Sequence, residues 1–160
     1  MIRIQETTVI DAPIQRCFDL ARNVEVHLIA NVHSGEQALA VGEITSGFVG
    51  LGQKVTWRAK HFGMWQDLTS EMTAFRPPFF FQNTMLSGAF RSMQADHYFR
   101  SMFSGATEMV DRFRIAAAIP LAGRLAETLV LRRYMSTLNR RRCQVIKEIA
   151  ESADWSKYLS

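Results

Sequence analysis

Cysteine, proline and long apolar runs are all scarce in this 160-residue chain, and each scarcity removes a class of protein. The two cysteines, Cys17 and Cys143, stand far apart and outside any CxxC spacing, so neither a disulfide framework nor a thiolate metal site is expected. That usage suits a reducing cytoplasm. Nowhere do about 18 apolar residues follow one another, so no membrane span is expected. The start, Met1-Ile2-Arg3, turns polar at once, unlike a signal peptide. His27, His33, His61 and His97 share no ligand spacing, so neither a metal nor another cofactor is expected. The segment from Thr45-Ser46-Gly47 to Gly50-Leu51-Gly52 lacks the dinucleotide fingerprint and no capped helix follows it; it reads as a loop between strands.

What is present fits one globular domain covering residues 1–160, long enough to bury about two thirds of its unfolded surface. The chain is 48% hydrophobic and 21% charged, far from the balance of disordered chains. Eleven Phe and eight Met are a heavy share, and Met is the flexible filler of adaptable binding surfaces, which hints at a cavity. The formal charge is +4. Much of the excess sits in Arg132, Arg133, Arg140, Arg141, Arg142 and Lys147, read as a solvated helix face, with no nucleic-acid partner expected.

Hydrophobic periodicity sets out the elements. Ile2, Ile4, Thr8 and Ile10 alternate with polar residues in a half-buried first strand, Glu6 being the charged exception. Asp11-Ala12-Pro13 supplies a capping side chain and a first-turn proline for a helix with Ile14, Cys17, Phe18 and Ala21 on one face. After Asn23 a second short helix runs through Leu28. The pattern turns strand-like from Glu36. Val55, Trp57 and Ala59 alternate into a turn at Phe62-Gly63, and the next strand carries Leu68 and Met72 until Pro77-Pro78 breaks it. Strands follow over 79–85, 90–103 and 107–115. Past Pro120, Leu121, Leu125, Leu131, Met135, Leu138, Val145 and Ile149 recur at helical steps. The tail from Glu151, with Trp155 and Tyr158, is either frayed or folded back. Strands joined by short turns pair antiparallel, and their apolar face needs the last helix as cover.

A turn at 102–105 makes paired residue numbers sum to about 208. Met93 then meets Ile115, Ala95 meets Phe113 and Phe99 meets Met109, while Gln94, Tyr98, Arg100, Arg112 and Arg114 take the other face. His97 and Asp111 fall opposite each other on the apolar face, where such groups must pair. The previous hairpin adds Phe81, Asn83 and Met85 to that wall. The pair reads either as a structural lock on register or as a ligand-anchoring or acid/base group. A nucleophile and an oxyanion stabiliser do not emerge from the sequence.

An ordered series of motifs runs along the chain: Ile10-Asp11-Ala12-Pro13, Cys17-Phe18-Asp19-Leu20-Ala21-Arg22, His33-Ser34-Gly35-Glu36, Thr45-Ser46-Gly47 through Gly50-Leu51-Gly52 to Val55-Thr56-Trp57, Ala59-Lys60-His61-Phe62-Gly63, Phe90-Arg91-Ser92 with His97, and Thr107 with Asp111-Arg112. That series resembles the START-like SRPBCC superfamily, in its bacterial polyketide cyclase/dehydrase-like branch. The resemblance implies an α+β helix-grip fold: a curved seven-stranded antiparallel sheet around a long C-terminal helix, two short helices after the first strand, and a ligand tunnel. Related sequences often carry polar aromatic or imidazole groups where this chain has Met93 and Ala95, which implies a more apolar pocket.

The leading expectation is a binding protein for a small hydrophobic or aromatic, lipid- or polyketide-like molecule. Its site is expected at Trp57, Leu68, Met72, Phe81, Asn83, Met93, His97, Asp111, Phe113, Ile115 and Met135. The alternative is a cyclase or dehydratase in which His97, held by Asp111, transfers a proton. A third reading is a regulatory module that docks a partner on the basic end of the last helix. Monomer and homodimer are both compatible with the sequence.

Overall fold

In the computed structural model, which describes residues 1–33, 38–61, 63–118 and 124–160, seven strands form one antiparallel sheet ordered β1-β7-β6-β5-β4-β3-β2. The strands are β1 (Ile2–Ile10), β2 (Ala38–Val41), β3 (Lys54–His61), β4 (Met64–Arg76), β5 (Phe80–Ser87), β6 (Phe90–Ser101) and β7 (Thr107–Ala117). Helices α1 (Ile14–Ala21) and α2 (Val24–His33) follow β1, α3 (Arg124–Glu151) covers the sheet, and α4 (Ser156–Leu159) closes the chain. This is a helix-grip arrangement: α3 packs on β1, α1 and α2 along the concave face.

The register expected for β6 and β7 is the observed one: Met93 faces Ile115, His97 faces Asp111 and Phe99 faces Met109. Gly105 at φ +85° supplies the left-handed residue that turns this hairpin. The strand before it adds Phe81 opposite His97 and Asn83 opposite Ala95. Register shifts between Thr69 and Ser70 and between Met72 and Ala74 bend β4 against β5, and such bulges give a sheet the curvature it needs to grip a helix. The β3–β4 turn holds Gly63 at φ +78°, while Phe62 lies outside the described residues.

Under α1 the interior is solid. Phe18 is fully buried and meets Phe81 and Phe99 edge-on at 5.5 and 5.4 Å. Ring pairs so placed add about 0.5–1.5 kcal/mol beyond their buried area. Ile10, Leu20, Met109, Ile146 and Ala150 complete this core at 0% exposure. α3 forms because residues 124–151 hold no Gly or Pro and are rich in the helix formers Arg and Leu.

Several local details differ from the sequence reading. The Asp11 side chain does not cap α1: Pro13 takes the N-cap position without a side-chain bond, and the Asp11 backbone N–H donates to Glu151 Oε1 at 2.8 Å. Helix α2 runs past Leu28 to His33, started by Asn23, whose Oδ1 accepts from the Val26 N–H at 3.0 Å. The tail folds back. Trp155 lies under the Arg16 guanidinium at 4.1 Å, and the Tyr158 carbonyl accepts from Asn23 Nδ2 at 3.2 Å. Glu6 faces α3, where Arg140 reaches it at 3.5 Å, which accounts for the charged exception in β1. The strand start expected at Glu36, the His33-Ser34-Gly35-Glu36 motif beyond His33 and the helix start at Leu121 fall outside the described residues.

Candidate functional site

Away from α1 the space between α3 and the sheet is hollow. A cavity of about 270 Å³ lies there, lined by β3, β4, β5, β6, β7, α2 and α3 with Ala21 at the end of α1, and its wall is mainly apolar. The strands supply it by alternation. Every second residue of β3 faces inward at Val55, Trp57 and Ala59, and β6 does the same at Met93, Ala95 and His97. From α3 come Leu131, Met135 and Leu138, spaced four and three residues apart, hence one stripe of the helix.

Of the residues expected at the site, Trp57, Leu68, Met72, Phe81, Asn83, Met93, His97, Phe113 and Met135 line the cavity. Two do not. Ile115 is fully buried beside Ile2 and Ile4 in a separate apolar cluster, and Asp111 stands behind the wall at 0% exposure. Met85, expected on the same side as Asn83, is also absent from the wall.

Asp111 is the hub of a buried polar cluster. Its Oδ1 accepts from His97 Nδ1 at 2.7 Å, and its Oδ2 accepts from Arg142 Nη1 at 2.7 Å and from the Cys143 thiol at 3.4 Å. Arg142 Nη2 donates to the Ala21 carbonyl at 2.7 Å, so the same guanidinium fastens α3 to α1. Arg142 is 8% exposed, which corrects its placement on a solvated basic face. The missed signal was periodicity: Arg142 continues the stripe Leu131, Met135, Leu138 four residues further on. The docking surface of the third reading thus loses one of its cations to the interior.

Burial works against the charged form of Asp111, but the His97 and Arg142 charges, with the hydrogen bonds from His97 and the Cys143 thiol, win and hold the carboxyl below its ordinary range. For His97, burial outweighs the pull of Asp111 and, with Arg142 nearby, holds the imidazole below its ordinary value. The ring is therefore neutral near pH 7, with Nδ1–H directed at Asp111 and Nε2 left as an acceptor. It stacks on Phe81 at 4.4 Å and meets Phe113 edge-on at 5.9 Å, so its plane is fixed on both sides.

Further polar groups on the wall were not legible in the sequence. His27 lies over Trp57 at 4.0 Å, and burial, Arg142 and His97 together lower its pKa to about 3. The residue is half-buried and lines the cavity. His61 Nδ1 and Tyr134 Oη sit 2.6 Å apart and tie β3 to α3 across the hollow. Asn139, four residues after Met135, is 5% exposed, and among the described residues its Nδ2 is the buried side-chain polar atom that meets no acceptor. A donor left unmet in this way costs on the order of 1–3 kcal/mol.

No family model matches the chain, and no curated protein matches it in sequence. Solved structures do match in shape. A START superfamily protein from Mycobacterium smegmatis superposes with a TM-score of 0.70 at 8% identity, covering 94% of this chain and 98% of its own. The protein TTHA0849 from Thermus thermophilus gives 0.69 at 17% identity, over 90% of this chain and 96% of its own. The di-domain ARO/CYC StfQ of the steffimycin biosynthetic pathway gives 0.63 at 14% identity, with 92% of this chain matching 44% of that one. Sheet order, the long covering helix and these superpositions agree on the fold: a helix-grip arrangement like that of the START superfamily protein.

Proposed function

We propose that this chain, acting as one domain in the cytoplasm, binds a small hydrophobic or aromatic molecule between its sheet and α3. The observation that carries this reading is the mainly apolar hollow of about 270 Å³. A cavity of about 150 Å³ is enough to take up benzene, so this one suits a ligand of one or two rings, lipid- or polyketide-like in its greasiness. Trp57, Phe81, Met93, Phe113 and Met135 supply burial, and Asn83 and His97 supply orientation. The names of the START superfamily protein and of the ARO/CYC agree with a fold used around such molecules. Both cysteines are buried and free, in keeping with a reducing compartment.

Native mass spectrometry of the purified protein tests the reading. A co-purified apolar molecule, or uptake of 2-methylnaphthalene at one equivalent per chain, supports it; an empty protein that takes up no such probe refutes it.

One observation favours a second reading. A neutral His97 held by Asp111 presents a basic nitrogen to the cavity, the arrangement that a proton-transferring cyclase or dehydratase requires. Replacing His97 by Gln separates the two: binding of an apolar probe survives in both cases, and turnover is lost only if the imidazole carries the proton.

A further inference from the structure

The mouth of the hollow lies at one end of the molecule. Among the lining residues Asp67 and Ala89 are exposed, so the space opens between the β3–β4 hairpin, the β5–β6 turn and the first turns of α3. His61 pairs with Met64 at the tip of that hairpin, Thr69 pairs with Ser87 beside the turn, and the His61–Tyr134 contact at 2.6 Å brings α3 to the same place. The rim is apolar where it meets solvent. Met64, Trp65, Leu86, Leu129 and Val130 are each about half to two-thirds exposed. Apolar side chains gathered in water around an opening mark a surface that another body covers.

The rim also carries positive charge that the protein does not neutralise. Lys60, which faces Trp65 across the hairpin, and Arg91, Arg132 and Arg133 are exposed, and none of them meets a carboxylate among the described residues. Asp67, the acid of the wall, is spent on Arg58 at 2.8 Å. A second copy of the chain seated here would set these cations against their own kind, which is unfavourable. A bilayer with anionic headgroups answers both features, because Trp settles at headgroup level and each nearby Lys or Arg adds attraction. The opposite end of the sheet exposes Phe79 and Phe103 too, but the solid core lies behind it and Glu108, Glu151 and Asp154 stand at that end. No helix among the described residues is long and apolar enough to cross a membrane, so the contact is peripheral.

We infer that the rim around Trp65 and Val130 docks on a bilayer surface bearing anionic lipid, with the mouth of the hollow turned toward the acyl chains. An apolar ligand then passes between bilayer and hollow without crossing open water. This adds a partner to the binding reading above and rests on that reading for its cargo alone.

Co-sedimentation of the full chain with phosphatidylcholine vesicles, with and without phosphatidylserine, tests the inference. The chain should pellet with the serine-containing vesicles, stay in solution with phosphatidylcholine alone, and be released by raised salt. Its tryptophan emission should shift to the blue on binding, and Trp65→Ser should remove that shift. Replacing Arg132 and Arg133 together by Gln should weaken partitioning about thirtyfold, whereas Phe103→Ser at the far end should leave it unchanged. No pelleting with either vesicle, equal pelleting with both, or a dimer that shields Trp65 overturns the inference. Uptake of 2-methylnaphthalene by the same preparation then keeps the binding reading standing, and its absence removes that reading separately. The vesicle contrast in the unmodified protein decides the matter even if a variant does not fold.

Discussion

The two halves of α3 lie on the same sheet and do different things. Around Cys143, Ile146 and Ala150 the helix is 0–1% exposed and meets α1 in a solid core. Around Leu131, Tyr134, Met135 and Leu138 it is only half-buried and roofs the hollow, and Leu129 and Val130 are more than half exposed. Asn139, Arg142, Asp111 and His97 mark the border. The difference shows that apolar lining alone does not make a cavity; one end is filled because α1 inserts Phe18 among Phe75, Phe81 and Phe99, and the other end receives no such wedge.

The largest expected effect breaks the border. Arg142→Leu leaves Asp111 with one partner fewer in the interior and releases the Ala21 carbonyl, so unfolding free energy should drop by about 3–5 kcal/mol in urea titrations. A loss below about 1 kcal/mol would mean that the pair is not buried in solution.

Truncations on either side compare filled with hollow directly. Ile146→Ala should cost about 2–5 kcal/mol, because it opens a void in packed surroundings. Met135→Ala borders space that is already empty and should cost about 1 kcal/mol. Equal losses in chemical denaturation would erase the distinction.

Enlargement should give the reverse contrast. Ala150→Leu overpacks the solid end and should cost about 1–3 kcal/mol. Ala95→Leu extends into the cavity and should leave the melting temperature unchanged or raised, while uptake of 2-methylnaphthalene is lost.

The last effect is on pH dependence. Unfolded His27 binds its proton near the ordinary value of 6.5, whereas in the folded state it resists protonation until about 3. The unfolded state therefore holds more protons across that window, and stability is lost as pH falls through it, by about 1.4 kcal/mol per pH unit once well below 6.5. His97, also lowered, acts in the same direction. Unfolding titrations between pH 7.5 and 5 should show this loss, and His27→Gln should remove the His27 part of it. An unchanged slope in the variant would place His27 in bulk water.

Much of this contrast was legible in the chain, and its decisive part was not. The β6–β7 register followed from alternation and a short turn, because a slip of one residue would send His97 and Asp111 to the solvent face. The apolar stripe of α3 was legible for the same periodic reason. Arg142 was not, because charge pointed to solvent while spacing pointed inward, and the buried Asp111 carboxylate decided between them. Whether facing apolar residues touch or leave a gap depends on sheet curvature, set by the bulges in β4, for which the sequence carries no plain signal.

The methionine methyls offer the most direct test of a ligand-holding hollow beside a solid core. Met72, Met93 and Met135 line the cavity, whereas Met109 is fully buried in the packed end. With 13C-methyl-labelled methionine and added 2-naphthol, the resonances of Met72, Met93 and Met135 should shift saturably while that of Met109 stays in place. Shifts confined to exposed Met1 and Met64, or no shift at all, would contradict the account.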